Sequence, residues 1–134
     1  MEALLTGLYN LYANNSTLTA AIPGGLFVGE APQDTSSYPY GVMFVVSNTP
    51  GWTFTEDIED YLIQFNIFDE VGEMDNSTIL DVFDKLTTVY DWCKPTVSGY
   101  SRVFIKREFG TILRPDDAWQ ISVSYRCEIE KSRS

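Results

Sequence analysis

The stretch Ala118–Ile129, AWQISVSYRCEI, decides the fold because its apolar and polar residues alternate strictly. One parity carries Trp119, Ile121, Val123, Tyr125, Cys127 and Ile129. A period of two is typical of a β-strand with one buried and one solvated face, whereas a helix would spread these side chains around its circumference. Their burial contributes on the order of 10 kcal/mol before entropy is subtracted. We therefore predict a central or near-central strand of a sheet whose apolar face is covered by helices.

The preceding segment, Arg102–Leu113, is predicted to form a hairpin with this strand through a type I turn at Arg114–Asp117. Pairing residue 113 with residue 118 would place charged side chains on the buried face, so the register must shift by one residue. We therefore predict a β-bulge near Gly110, or a loop of odd length. The shifted register pairs Phe109 with Ile121, Ile105 with Tyr125 and Val103 with Cys127.

The rest of the chain alternates between helix and strand patterns. Amphipathic helices are predicted over residues 3–13 and 77–92, and strands over 26–28, 40–47 and 59–69. The continuous apolar run Val42–Val46 indicates burial of both strand faces, in the core or at a subunit contact. Residues 48–57 are predicted to be a turn-rich loop. Together these elements predict one α+β domain, 1–134, with a single antiparallel or mixed β-sheet of four to five strands and two α-helices packed on one face.

Charge is distributed unevenly along the chain. Residues 1–84 hold 13 acidic and 0 basic side chains, and residues 85–134 hold 9 basic and 6 acidic ones, for a net charge of −10. One interpretation is an acidic protein with a solvated surface; the other is that two differently charged surfaces meet, between copies or with different partners. Duplex DNA is a poor ligand for such a chain, because phosphate binding needs clustered cations.

Residues that would carry chemistry are scarce. The sequence has no histidine, no nucleophile elbow and no phosphate-binding glycine loop, and its two cysteines, Cys93 and Cys127, do not form a metal-binding pattern. No apolar run is long enough to span a membrane, and no basic leader precedes Leu4, so we expect a soluble protein in a reducing compartment. An acidic cluster could serve acid–base catalysis or bind a hard cation, but a solvated loop is the favoured interpretation. Its members are Glu56, Asp57, Glu59 and Asp60.

Several features, in order, carry a resemblance to a known family. A leucine helix from Leu4 to Tyr12 precedes LTAAI, and the stretch Gly24–Pro32 reads GGLFVGEAP. Tyr-Pro-Tyr at 38–40 leads into the apolar strand, an alternating strand and one long helix follow, and a hairpin closes the chain. In order, length and patterning the chain resembles the tail terminator (tail completion) family of long-tailed bacteriophages.

The resemblance implies a structural virion protein rather than an enzyme. Members form a homo-hexameric ring at the head-proximal end of the tail tube, which ends tube polymerisation and joins the tail to the head–tail connector. The implied partners are the tail tube protein and the connector or neck protein, with DNA passing through the channel without specific binding. No cofactor, metal or membrane is implied. The implied location is the neck or tail of a virion, after synthesis in the bacterial cytoplasm.

The sequence suggests where the contacts of such a protein lie. Two aromatic residues in the predicted loop indicate a partner surface, unless they fold back over the sheet edge. Arg107 falls on the apolar parity of its strand, where it would either snorkel at the sheet edge or pair with an acid of another copy. The candidate subunit or tube interface is Trp52, Phe54, Arg102, Lys106, Arg107 and Arg126. The candidate acidic channel or loop surface is Glu56, Asp57, Glu59 and Asp60.

Three other functions stay open. The chain could be another neck component, such as a head-completion or head–tail joining protein. It could be a small ligand-binding α+β domain, which would need a concave pocket with convergent polar groups. An enzyme is the third possibility and would depend on the acidic cluster alone.

Overall fold

The computed structural model describes residues 2–31, 37–52, 56–72 and 74–132. It confirms the predicted α+β fold, with five strands in one mixed sheet and three α-helices. The helices are α1 (Glu2–Ala13), α2 (Ser16–Ala21) and α3 (Ser77–Tyr90). The strands are β1 (Leu26–Val28), β2 (Tyr40–Trp52), β3 (Glu56–Phe68), β4 (Arg102–Leu113) and β5 (Gln120–Ser132).

The sheet has the strand order β1-β2-β3-β5-β4. β1 runs parallel to β2, and the other neighbours are antiparallel. β5 lies between β3 and β4, so the alternating stretch that opened the sequence is a near-central strand, as predicted. β1 and β4 form the two edges, and β1 pairs with only three residues of β2.

The helices cover one face of the sheet and share a single apolar core with it. Ile121, Val123, Tyr125, Cys127 and Ile129 are all buried there, as their alternation predicts. The other core residues include Leu4 and Leu8 of α1, Leu18 of α2, Ile79, Val82, Leu86 and Tyr90 of α3, and Tyr61, Ile63, Phe65 and Ile67 of β3. The Tyr90 hydroxyl donates a 2.8 Å hydrogen bond to the Leu8 carbonyl, which ties α3 to α1 inside the core.

The predicted loop over residues 48–57 is wrong. β2 continues to Trp52 and β3 begins at Glu56, so most of this segment belongs to one long hairpin. A bulge between Val45 and Ser47 shifts the register, and the ladder then resumes. β3 extends equally far because β5 pairs with it along its whole length. The ladder with β3 in turn outweighs the weak strand propensity of Asn48, Pro50 and Gly51 in β2.

The apolar run of β2 is buried on one face only within a single chain. Met43 is fully buried under the helices, whereas Phe44 is partly exposed and Val46 is 48% exposed. Core burial of both faces, one of the two predicted alternatives, is therefore wrong. A subunit contact for the outer face stays a prediction.

The β4–β5 hairpin has the predicted bulge, and Val103 and Ile105 are on the predicted face, but the register is wrong. Phe109, predicted on the buried face opposite Ile121, pairs with Ser124 and faces away from the core. The bulge lies between Arg107 and Phe109, close to Gly110 as predicted, but Ile105 pairs with Cys127 rather than with Tyr125. The reason is the turn: Leu113 pairs with Gln120, and the connection contains a 3₁₀ turn at Pro115–Asp117. Asp116 and Asp117 have φ of 51° and 62°, which a type I turn does not contain.

Candidate functional site

The sheet face opposite the helices is open across the described residues, and its centre is polar. Side chains of β3 and β5 form a hydrogen-bonded row there: Gln64 donates to Asn66 at 2.9 Å, and Ser122 donates to the same Asn66 oxygen at 2.9 Å. Gln120 in turn donates to Ser122 at 3.2 Å. We call this surface the open face. Gln120 and Ser122 are on the polar parity of β5, as predicted, but they are only partly exposed, and Ser124 of the same parity is buried.

At the β4 edge the open face becomes apolar. Phe104, Phe109 and Leu113 are 54%, 59% and 46% exposed, and all three pair with residues of β5 whose side chains point away from the core. Together they are called the β4 patch. Sequence reasoning missed it, although a phenylalanine on the wet parity of a strand, as at Phe104, was the available signal. For Phe109 no signal existed until the position of the bulge was known.

Arg126, a predicted interface residue, lies on the open face between two acids of its own chain. Its guanidinium donates to Glu108 and to Asp60, each at 2.8 Å. These hydrogen bonds, first to Glu108 and then to Asp60, raise the pKa of Arg126. Lys106 lies 4.0 Å from Glu108, so the cations and acids of this surface alternate rather than segregate.

Arg107 has partners on the helix-covered side of the sheet. It lies 3.3 Å from Asp91, just past the end of α3, and its guanidinium is 5.5 Å from the centre of the Phe83 ring. The Tyr125 hydroxyl also donates to Asp91, at 2.7 Å, and its pKa is raised, chiefly by burial. This cluster anchors the end of α3 to the sheet.

Each of the four predicted interface cations therefore has an acidic partner within its own chain, with Arg102 lying 3.7 Å from Glu130. The side chains of Arg102 and Lys106 are nevertheless 66% and 55% exposed. Their intrachain ion pairs contribute little to stability at such exposure. Contact of these cations with a neighbouring copy stays a prediction.

Trp52 ends β2 and is 74% exposed, so it does not fold back over the sheet. It pairs across the hairpin with Asp57 and borders a groove of about 540 Å³. The groove is also lined by Glu59 and Lys131. A large exposed aromatic at the end of a hairpin is a common anchor for a partner, so the contact expected here stays a prediction. Phe54, the second predicted aromatic, lies outside the described residues.

All four carboxylates of the predicted acidic cluster belong to β3, so the loop assignment of Glu56 and Asp57 is wrong, whereas Glu59 and Asp60 lie in a strand as predicted. Alternation along the strand separates them: Asp60 is on the open face with Arg126, whereas Asp57 and Glu59 are on the other face. Only the backbone of Glu56 is described, as the first residue of β3. The predicted acidic cluster is therefore divided between the two faces of the sheet, and Asp60 does not share a face with Asp57 and Glu59.

The remaining reactive groups are buried or isolated. Burial raises the pKa of both cysteine thiols to about 12, so neither is a nucleophile near neutral pH. Among the described residues no group of three or more His, Cys, Asp or Glu side chains is arranged to hold a metal ion. No helix in this part of the chain is long and apolar enough to cross a membrane.

Comparison with solved structures finds the same fold in a virion protein. A chain from the virion of a native gene transfer agent particle has a TM-score of 0.70 and 11% sequence identity, with coverage of 93% of this chain and 92% of that chain. A second solved structure, which carries no functional name, has a TM-score of 0.63 and 13% identity, with coverage of 96% of this chain and 94% of that chain. At these identities the likeness establishes the fold alone. No protein-family model and no curated protein sequence matches the chain.

Proposed function

We propose that this protein is a structural component of a phage-like virion and not an enzyme. The observation that carries the proposal is the shared fold with a gene transfer agent virion chain, which covers more than nine-tenths of both proteins. The separated carboxylates and the unreactive thiols agree with this proposal.

Within the virion, we assign the protein to the head-proximal end of the tail tube, where a homo-hexameric ring would end tube polymerisation. The ring would also present a surface to the connector or neck protein. This assignment is supported by the resemblance in element order to tail terminators and by two surfaces suited to protein contact. These are the exposed end of the β2–β3 hairpin with Trp52 and the β4 patch.

The acidic part of the chain suits a ring through which DNA moves. Residues 1–84 contain 13 acids and no Lys or Arg, so a channel wall built from this part would repel phosphates. DNA would then pass without being held, in contrast to the retention that a basic wall would produce. We therefore propose passage of DNA through the ring without specific binding.

Particle assembly in the presence and absence of this protein tests the assignment. Loss of a terminator should give tails of irregular and excessive length, because nothing ends tube polymerisation. Tails of normal length that fail to join heads would instead identify a head-completion or head–tail joining protein. Normal particles in its absence would contradict a structural role altogether.

The function of a small ligand-binding domain receives no support from the described surface. The grooves found there are open and shallow, and the most apolar one, along α1 and β1, has few polar groups to orient a small molecule. Replacement of Asp57, Glu59 and Asp60 by their amides is expected to leave assembly intact. If the wild-type protein turned over a substrate and these substitutions abolished that turnover, the protein would be an enzyme.

A further inference from the structure

We propose that neighbouring copies in the ring join the β4 patch of one copy to a groove between α1 and β1 of the next. This inference depends on the proposed ring and specifies its interface. The two surfaces lie at opposite edges of the same sheet, and each has exposed apolar side chains and charges that the other can complement.

The β4 patch combines an apolar row with cations. Phe104, Phe109 and Leu113 are each about half exposed on one side of a single edge strand. Arg102 and Lys106 border the row with well-exposed side chains. The three apolar side chains are spaced along the strand, with Lys106 between the first two and Thr111 between the last two. They lie along a 12-residue edge strand that, among the described residues, has no partner on its outer side.

The second surface is a groove of about 590 Å³ along α1 and β1, lined by Glu2, Leu5, Thr6, Tyr9 and Val28. Val28 and Tyr9 are 47% and 38% exposed, although both belong to regular elements. We call this the α1–β1 groove. Among the described residues that line it, Glu2 is the one that carries a charge.

The charges of the two surfaces are opposite. On the face of the β4 patch, Arg102 and Lys106 are well exposed although each has an acidic partner in its own chain. Residues 2–31, which include α1 and β1, carry Glu2 and Glu30 and no base. Opposite potentials guide the correct approach of two copies and disfavour contact between two identical edges. A contact between two α1–β1 grooves would bring two Glu2 side chains together.

The geometry favours a head-to-tail arrangement. The β4 patch is on the open face at one edge, and the α1–β1 groove is on the helix-covered side at the other edge, across four strand spacings or about 19 Å. Each copy can therefore contact the next in the same relative orientation, with the open face of one copy against the helix-covered side of its neighbour. An interface between two different surfaces generates a ring when the rotation closes. A second copy is thus the occupant that both surfaces fit.

Two substitutions that each block one surface test the interface. Phe104→Glu places a charge in the β4 patch, and Val28→Glu places one in the α1–β1 groove; Leu80→Glu, at an equally exposed apolar residue of α3, is the matched control. Folding is checked by circular dichroism and thermal melting, and Tyr9→Glu replaces Val28→Glu if the latter unfolds. Assembly is followed by sedimentation velocity, alone and with tail tube added.

Each blocking variant should raise the protein concentration needed for rings at least 10-fold, and the control should not. An equimolar mixture of the two blocking variants should form dimers and nothing larger, because one intact patch meets one intact groove. Rings formed normally by both variants would overturn this interface but not the proposed ring. A mixture of the two variants that forms no dimers would also overturn this interface. A wild-type protein that stays monomeric, with and without tube, would overturn the proposed ring and the interface together.

Discussion

Gly7→Ala should destabilise the protein, although helix propensity alone predicts the opposite. Gly7 is buried in the middle of α1, where alanine is normally favoured over glycine by about 1 kcal/mol. Here an added Cβ would lie 2.6 Å from the carbonyl oxygen of Thr96 and 3.5 Å from Cβ of Pro95. The obstacle is backbone, so either α1 or the 95–96 segment must move.

The magnitude follows from these two opposing terms. Because the obstacle is a backbone oxygen at 2.6 Å, we take the upper part of the usual overpacking range, about 2–3 kcal/mol. After the propensity gain of about 1 kcal/mol we expect a net loss of about 1–2 kcal/mol. For a chain of this length that loss corresponds to a melting temperature lower by about 4–8 °C. Thr6→Ala, at the exposed neighbouring position of the same helix, is the control and should raise stability by a few tenths of a kcal/mol.

Urea unfolding followed by circular dichroism measures both variants. A Gly7→Ala protein as stable as the wild type, or more stable, would refute the close approach of residues 95–96 to α1. Because α1 forms one wall of the α1–β1 groove, the same variant should also weaken assembly. The two effects are separated by measuring assembly well below the melting temperature.

Three further predictions concern the surface and the thiols. Trp52→Ser should change the free energy of unfolding by about 1 kcal/mol or less but weaken assembly at least about 10-fold. Trp92→Ser, at an equally exposed tryptophan, is the control and should leave assembly unchanged. Unfolding of the Trp52→Ser variant would show that Trp52 belongs to the core. Arg126→Ala should lower stability slightly in low salt and hardly at all in 0.5 M salt, measured by urea unfolding; a loss independent of salt would contradict an exposed ion pair. Burial raises the pKa of Cys93 and Cys127 from 9.0 to about 12, so these thiols ionise at lower pH in the unfolded chain than in the folded protein. The free energy of unfolding should therefore fall as pH rises from 9 to 12. A C93A/C127A variant should show a shallower fall.

The periodicity of apolar residues was the most informative feature of the sequence. The alternation in β5 predicted which side chains are buried, and the alternation in β3 did the same, because one face of each strand lies under the helices. Charge at residues 106 and 108 predicted that the β4–β5 hairpin contains a bulge. The pairing register could not be predicted, since that depends on a turn in which two aspartates adopt left-handed conformations.

The extension of β2 and β3 could not be predicted from local preference. Asn48–Trp52 has the composition of a turn, and only the ladder with β3, itself supported by β5, makes it a strand. The β4 patch could not be predicted either, because the exposure of Phe109 and Leu113 depends on how β4 is paired with β5. The cations, in contrast, were visible in the sequence, but their intrachain partners required coordinates.

The central claim is that this chain associates with itself in a closed head-to-tail ring. Light scattering of the purified protein at high concentration, with electron microscopy of the same sample, tests it most directly. We expect a species of six times the 15.2 kDa chain mass that appears as a six-fold ring. A protein that remains a single chain at every concentration, and also after tail tube is added, would contradict the account.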